Sequence, residues 1–304
     1  MIMTAMRIRQ YRNIFSDLSL LTIFSLSLSL CLTLSHSLSL SIESIAMQKL
    51  NAHPFLTGKT AIVTGGSGVI GKSIAKALVR SGCKVFITGR NGGRLDDAKR
   101  DLEASLGDFS KNVFTFVGDV CNEESVSDLF DAVEKESQQG CDLLINNAGI
   151  NAIGTIENVS ADDFTRVMAV NVVGPFTCAR EAIKRMKERE ESGGRIINIG
   201  SLSAVSPRPD SIPYTTSKFA LLGLTKSLAL DARQYNIAVG IIHPGNVVST
   251  LLTPEMIEER GRLEGFIQAD EVASSVITMA SMPYGTNIFE LTLMPTKQPF
   301  VGRG

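Results

Sequence analysis

From residue 59 onward, short apolar runs alternate with longer stretches in which apolar residues return every three or four positions. This is the rhythm of strands feeding helices. KTAIV (59–63) reads as a buried strand, and GKSIAKALVR (71–80) puts Ile74, Ala77 and Leu78 on one side of a helix while Lys72, Lys76 and Arg80 project elsewhere. Ser81 and Gly82 stop that helix, and KVFIT (84–88) is a second strand. The alternation continues through strands VFTFV (113–117), DLLI (142–145), RIINI (195–199), IAVGII (237–242) and IFELTL (288–293). The intervening helices are predicted over 95–106, 125–137, 161–189, 214–234 and 270–280. Seven apolar strands separated mostly by helices predict one doubly wound α/β domain over 55–304, its parallel sheet covered on both faces.

The first fifty residues follow another pattern. Residues 18–41, LSLLTIFSLSLSLCLTLSHSLSLS, form a Ser/Leu repeat without a formal charge, preceded by Arg7, Arg9 and Arg12. Three readings compete: a targeting peptide, a disordered or weakly membrane-associated tail, and a wrongly assigned start ahead of Met47. The last is preferred, because a simple nucleotide repeat would encode such monotony. Nothing catalytic is expected before residue 47. The remainder is expected to be cytoplasmic, with organelle or secretory targeting an alternative if residues 1–46 are genuine.

Composition narrows the function. Thirty basic residues stand against thirty-one acidic ones, and there is no tryptophan, so neither the charge nor the stacking platforms of a nucleic-acid binder are present. Cysteines 31, 83, 121, 141 and 178 are scattered without a CxxC pair, and His36, His53 and His243 do not cluster with acids. Reduced or buried thiols and no metal site are expected.

Between the first strand and helix lies TGGSGVIG (64–71). A glycine-rich turn in that context lets backbone approach a pyrophosphate, and the free N–H groups of the helix start favour its charge. Gly66-x-Gly68-x-x-Gly71 has the generic dinucleotide spacing; a plain tight turn is the alternative. The second strand ends in ITGR with no carboxylate for a ribose diol. Arg90 is therefore placed for the extra phosphate of NADP, with Arg94 or Lys72 assisting, and NAD is the less favoured cofactor.

From 55 to 298 the chain resembles the short-chain dehydrogenase/reductase family, mainly its classical branch. The motifs that carry the resemblance follow in order: the glycine loop, Asp119 in GDV, NNAG (146–149), Asn171 in NVVG, Ser201 after RIINIG, Tyr214-x-x-x-Lys218 and PGNVVS (244–249). The resemblance implies a Rossmann-type fold and assigns cofactor contacts to Thr64, Gly65, Gly66, Ser67, Gly68, Val69, Ile70 and Gly71. Asp119 and Val120 would meet the adenine, and Asn147, Ala148 and Gly149 the ribose. Pro244, Gly245, Val247 and Ser249 would border the nicotinamide and its carboxamide and phosphate, with Thr250 able to replace Ser249. Tyr214 and Lys218 would also touch the nicotinamide ribose.

The resemblance further implies that Asn171, Ser201, Tyr214 and Lys218 are catalytic. Tyr214 would exchange a proton with the substrate oxygen, its phenolate favoured by the Lys218 ammonium and the oxidised nicotinamide. Ser201 would hold that oxygen, and Asn171 would bind a water through a local irregularity in its helix and connect Lys218 to solvent. The loop departs from the branch at Val69, where a glycine is usual, leaving Gly68 as its most permissive element.

Candidate pocket walls are residues 150–156, 202–212 and 248–267, the last a small lid or equally an ordinary surface helix, with Leu202, Val205, Ile212, Leu251 and Leu252 as an apolar component; no cation is clearly placed for an anionic substrate, Arg208 being the one candidate. A ketone or secondary alcohol, small to medium and partly apolar, is the expected substrate. A 3-oxoacyl-carrier-protein reductase and a non-catalytic dinucleotide-binding protein are the alternatives. A homotetramer or homodimer through helices 161–189 and 214–234 is also implied, their apolar positions Phe164, Val167, Phe176, Phe219, Leu222 and Leu228 being candidates for either the core or a partner; no nucleic acid is expected, and a membrane only through a genuine extension.

Overall fold

The computed structural model describes residues 55–189, 193–249, 251–283 and 285–300; the readings of the N-terminal extension, and the alternative role of Thr250, lie outside them. The sheet has seven strands, all parallel, in the order β3-β2-β1-β4-β5-β6-β7. They are β1 (Thr60–Thr64), β2 (Lys84–Gly89), β3 (Val113–Val117), β4 (Leu143–Asn146), β5 (Gly194–Ile199), β6 (Ile237–Pro244) and β7 (Glu290–Leu293). β1, β4 and β5 are buried along their whole length, as continuous apolar runs require when helices cover both faces.

Alternation along each strand divides the core. Ala61, Val63, Ile145 and Ile197 face one layer, with α1 (Val69–Arg80), α2 (Gly92–Leu106) and α8 (Ala269–Ala280). Ile62, Leu144 and Ile196 face the other, with α3 (Glu123–Ser137), α5 (Gly174–Lys187) and the C-terminal part of α6 (Ile212–Ala232). Burying these side chains, at roughly 1.5–3 kcal/mol each, holds the sheet between its helices.

Most predicted helices start a few residues earlier than their apolar pattern, because caps set the ends. Asn91 accepts from Arg94 N at the head of α2, and Asn122 accepts from Ser125 N at the head of α3. The helix expected over 161–189 is interrupted. α4 (Ala161–Met168) passes into a π-turn, Ala169–Val173, before α5. Such bulges mark places where the regular ladder yields to another demand, and here the turn carries Asn171. A further helix, α7 (Pro254–Leu263), forms within the 248–267 interval.

Strand order reverses between β1 and β4. In open α/β sheets, ligands bind in the crevice at the carboxyl ends of strands flanking such a switch. The glycine turn after β1 and NNAG after β4 therefore meet there.

Candidate active site

The switch-point turn is built on Thr64 and Asn147. The buried Thr64 hydroxyl accepts from Asn147 N and Ala148 N, both at 3.0 Å, and Asn147 Nδ2 donates to Thr64 O (2.9 Å) and Gly65 O (3.1 Å). Gly65 has φ +63°, and a β-carbon there would lie 2.8 Å from Ala148 Cα. Gly71 sits against Gly65 O with no room for a side chain. These two glycines are structurally required.

Gly68 corrects an expectation. Its φ is −78°, an ordinary extended value at the cap of α1, so the permissive element is Gly65. Val69 is the first residue of α1, without positive φ, and its side chain is exposed. Spacing alone counted the glycines without their dihedrals.

No side chain caps α1, so the first-turn N–H groups face the crevice as a phosphate cradle would need. The cradle thus fits a dinucleotide pyrophosphate. Arg90 is exposed directly after β2, and the Ser67 hydroxyl lies 3.8 Å from where a β-carbon on Gly89 would stand. Lys72 is diverted from the expected phosphate role, because its ammonium bonds Asp101 at 2.6 Å on α2. Asp119 accepts from Cys121 N at 3.0 Å, and Val120 packs against Gly174.

β5 and α6 form the floor. Ser201 follows β5 in extended backbone; its hydroxyl accepts from Ser203 N at 3.1 Å. His243, fully buried on β6, backs it through Nδ1, 2.9 Å from Ser201 O. Pro213 near the start of α6 sets the entry, and Tyr214 and Lys218, four apart, share one face. Lys218 Nζ lies 5.4 Å from the Tyr214 ring centre and donates to Ile199 O at 2.8 Å.

Without cofactor, burial opposes ionisation of Tyr214. Loss of water around the phenol is the largest effect and raises its pKa above the ordinary value; a hydrogen bond from Ser201 and the charge of Arg260 pull the other way. Burial also brings Lys218 down to about 8. Protein alone therefore keeps the phenol protonated, the form a proton donor needs.

Asn171 is buried, and both ends of its amide are engaged. Oδ1 accepts from Ile150 N and Nδ2 donates to Ile150 O and Ser217 Oγ, each at 2.9 Å. The π-turn thereby clamps the segment that leaves NNAG onto α6.

Above the floor opens a cavity of about 230 Å³ lined by Asn147, Gly149, Ser201, Tyr214, Lys218, Pro244, Gly245, Val247 and Ser249. The structure brings these expected residues together. Leu202, Leu251 and Leu252 join the wall as anticipated, whereas Val205 and Ile212 do not and are exposed. Ile153 and Met256 supply apolar surface that had not been singled out. Arg208 lines the cavity but is engaged: Nη2 meets Glu264 Oε2 at 2.7 Å and Asn246 Oδ1 at 3.2 Å. Arg260 and Gln298 were missed. Gln298 has no sequence signal, since it reaches Asn246 across 52 residues.

Among the described residues no group of His, Cys, Asp and Glu could hold a metal ion, and the four cysteines are free thiols.

Comparison with known proteins agrees with this geometry. The short chain dehydrogenase family model matches residues 59–260. A 3-oxoacyl-[acyl-carrier-protein] reductase of Rickettsia felis is 34% identical over 74% of this chain and 90% of its own length. Human dehydrogenase/reductase SDR family member 11 is 32% identical over 79% and 95%. Among solved structures, a 3-ketoacyl-(acyl-carrier-protein) reductase from Brucella melitensis complexed with NADH superposes with a TM-score of 0.71 at 26% identity, covering 80% of this chain and all of that one. An alcohol dehydrogenase from Thermococcus sibiricus complexed with 5-hydroxy-NADP gives 0.68 at 25%, covering 79% and 98%. With its seven-stranded parallel sheet, its switch-point cradle and the family match across most of that domain, this chain belongs to the short-chain dehydrogenases, dinucleotide-dependent oxidoreductases acting on carbonyls and alcohols.

Proposed function

We propose that the protein interconverts a small, partly apolar ketone and its secondary alcohol, using NADP(H) in preference to NAD(H). The observation that carries this reading is the convergence of Ser201, Tyr214 and Lys218 on one cavity that also reaches Gly149, Pro244 and Gly245. The nicotinamide, when bound, supplies or receives the hydride at the carbonyl carbon.

In the reducing direction, the Ser201 hydroxyl donates to the carbonyl oxygen and steadies the charge that develops on it. Tyr214 then passes its phenolic proton to that oxygen, completing the alcohol. Lys218 holds the cofactor ribose and offsets the phenolate left behind. Asn171 acts as a positioning residue, fixing the 150 segment against α6. In oxidation the Tyr214 oxygen takes the alcohol proton instead.

Arg90 and Ser67 support NADP, since both border the end of β2, where no carboxylate stands to claim a ribose diol. A second reading, reduction of carrier-linked 3-oxoacyl groups, is favoured by the relatives that carry that name. Self-association is proposed through α5 and α6. Phe176 and Phe219 are 42% and 45% exposed there, whereas Val167 is consumed by the core. A cytoplasmic setting remains part of the proposal.

Titration of the full chain with NADPH and NADH, followed by turnover of neutral ketones, tests this reading. NADPH should bind at least tenfold tighter, and Arg90→Asp should reverse the preference, since a charge-assisted phosphate contact is worth about 1.5–3 kcal/mol. Failure to bind either cofactor would sink the assignment, and equal affinity would remove NADP from it.

A further inference from the structure

α7 carries a cation that the proposed reaction on neutral ketones does not use. Met256 and Arg260 stand one turn apart on α7 and both line the cavity, opposite the floor that carries Ser201 and Tyr214. Arg260 is half-buried, yet its guanidinium has no hydrogen bond or ion pair among the described residues.

The other two cations of the lining are occupied. Lys218 donates to Ile199 O, and Arg208 is paired with Glu264, which also accepts from Asn246 Nδ2 at 2.7 Å. Asp210, the carboxylate of the lining, is exposed and makes no side-chain bond to Arg260. Glu259 and Glu264 act on Arg260 only through space, and Arg208 opposes them. Partly burying an unpaired charge costs stability, and here the charge is turned toward the place where a substrate must lie. It is near enough to be felt at the Tyr214 phenol.

We infer that Arg260 is the specificity-determining contact for a carboxylate on the substrate, so that the ketone is a small oxo acid bound between the Ser201–Tyr214 pair and α7. This rests on the oxidoreductase reading above and narrows its substrate class. A planar guanidinium presents two parallel N–H groups, which match the two oxygens of a carboxylate. One uncompensated positive charge balances a monoanion. A phosphate dianion would call on a second cation, and Arg208 is already held by Glu264. The cavity must accommodate the nicotinamide as well as the substrate in about 230 Å³, which favours a short acid, with Ile153, Leu252 and Met256 around its carbon chain.

The test compares pyruvate, acetoacetate and levulinate with their methyl esters, and adds dihydroxyacetone phosphate, on the NADPH-loaded full chain. Binding is read by quenching of NADPH fluorescence and turnover by its absorbance. At least one free acid should be preferred to its ester by about 10- to 100-fold in kcat/KM, the range of one charged hydrogen bond. Arg260→Gln should abolish that preference by weakening the acid alone, and Arg260→Lys should restore part of it. The thermal midpoint of Arg260→Gln should hold or rise slightly, because an unpaired, partly buried charge is removed. If acids and esters bind equally, or if Arg260→Gln lowers both alike with a shifted pH profile, Arg260 tunes Tyr214 and the inference falls. A preference for the phosphate over every acid would overturn it too. Cofactor binding without any acid selectivity defeats this inference while leaving the enzyme class standing; absence of cofactor binding defeats both.

Discussion

The floor and the roof of the cavity are built on opposite plans. On the floor, Lys218 and His243 behind Ser201 are buried, and the side chains of Ser201, Lys218 and Asn171 are each tied to backbone on β5 or in the segments that follow β4 and β5. α7, the roof, buries none of its residues completely. It continues into Glu264, which gathers Arg208 and Asn246, and Asn246 in turn meets Gln298. Proton transfer tolerates little displacement, so its groups belong on strand ends and a long helix. Selection of a substrate needs an entrance that can open, and a polar clasp on a shallowly packed helix permits that.

The largest test of this contrast lies on the floor. Tyr214→Phe should reduce kcat by about 10²- to 10⁴-fold with cofactor affinity preserved, as measured by NADPH fluorescence beside steady-state rates. Unchanged turnover would remove Tyr214 as the proton donor.

The next effect is thermodynamic. Lys218 has a folded pKa near 8, below the ordinary 10.5. The unfolded chain therefore binds more protons between these values, and stability should rise as pH climbs from about 8 to 10.5. Below pH 8 the cost of a buried ammonium is paid in full. The contribution is on the order of 1–3 kcal/mol. Comparing thermal midpoints of the cofactor-free protein and Lys218→Met across that range should show a slope in the first that the second lacks.

The smallest effect belongs to the roof. Glu264→Ala frees Arg208 and one arm of Asn246 and should raise the KM of a neutral ketone or ester, which gains nothing from the freed cation, by about three- to tenfold, a loss of roughly 1 kcal/mol. kcat and the main unfolding transition should stay near their original values. A collapse of global stability would show that the roof is part of the core after all.

These two regions also differed in how far they could be read from residues alone. The strands were legible because all-apolar runs of four to six residues have few other uses, and the floor was legible because Ser201, Tyr214 and Lys218 stand in a recognisable order. The π-turn around Asn171 matched the expected irregularity, while the partners of its amide, Ile150 and Ser217, were not legible, since they depend on how a loop crosses a helix. Counting glycines located the turn between β1 and α1 but misplaced its pivot at Gly68, because spacing carries no φ. α7 gave least warning. PEMIEERGRL is too polar for an apolar stripe to orient it, so nothing announced that Arg260 would face inward while Arg208 was neutralised.

Gln298 extends this contrast into the time the chain takes to assemble. Its side chain accepts from Asn246 N at 2.9 Å and donates to Asn246 Oδ1 at 3.3 Å, so the segment after β7 returns to lock the loop that begins the roof. In a chain made from its N-terminus, the dinucleotide cradle and the floor are synthesised well before this latch. Any fusion or truncation that displaces Gln298 is expected to loosen the substrate side before it reaches the core around α1.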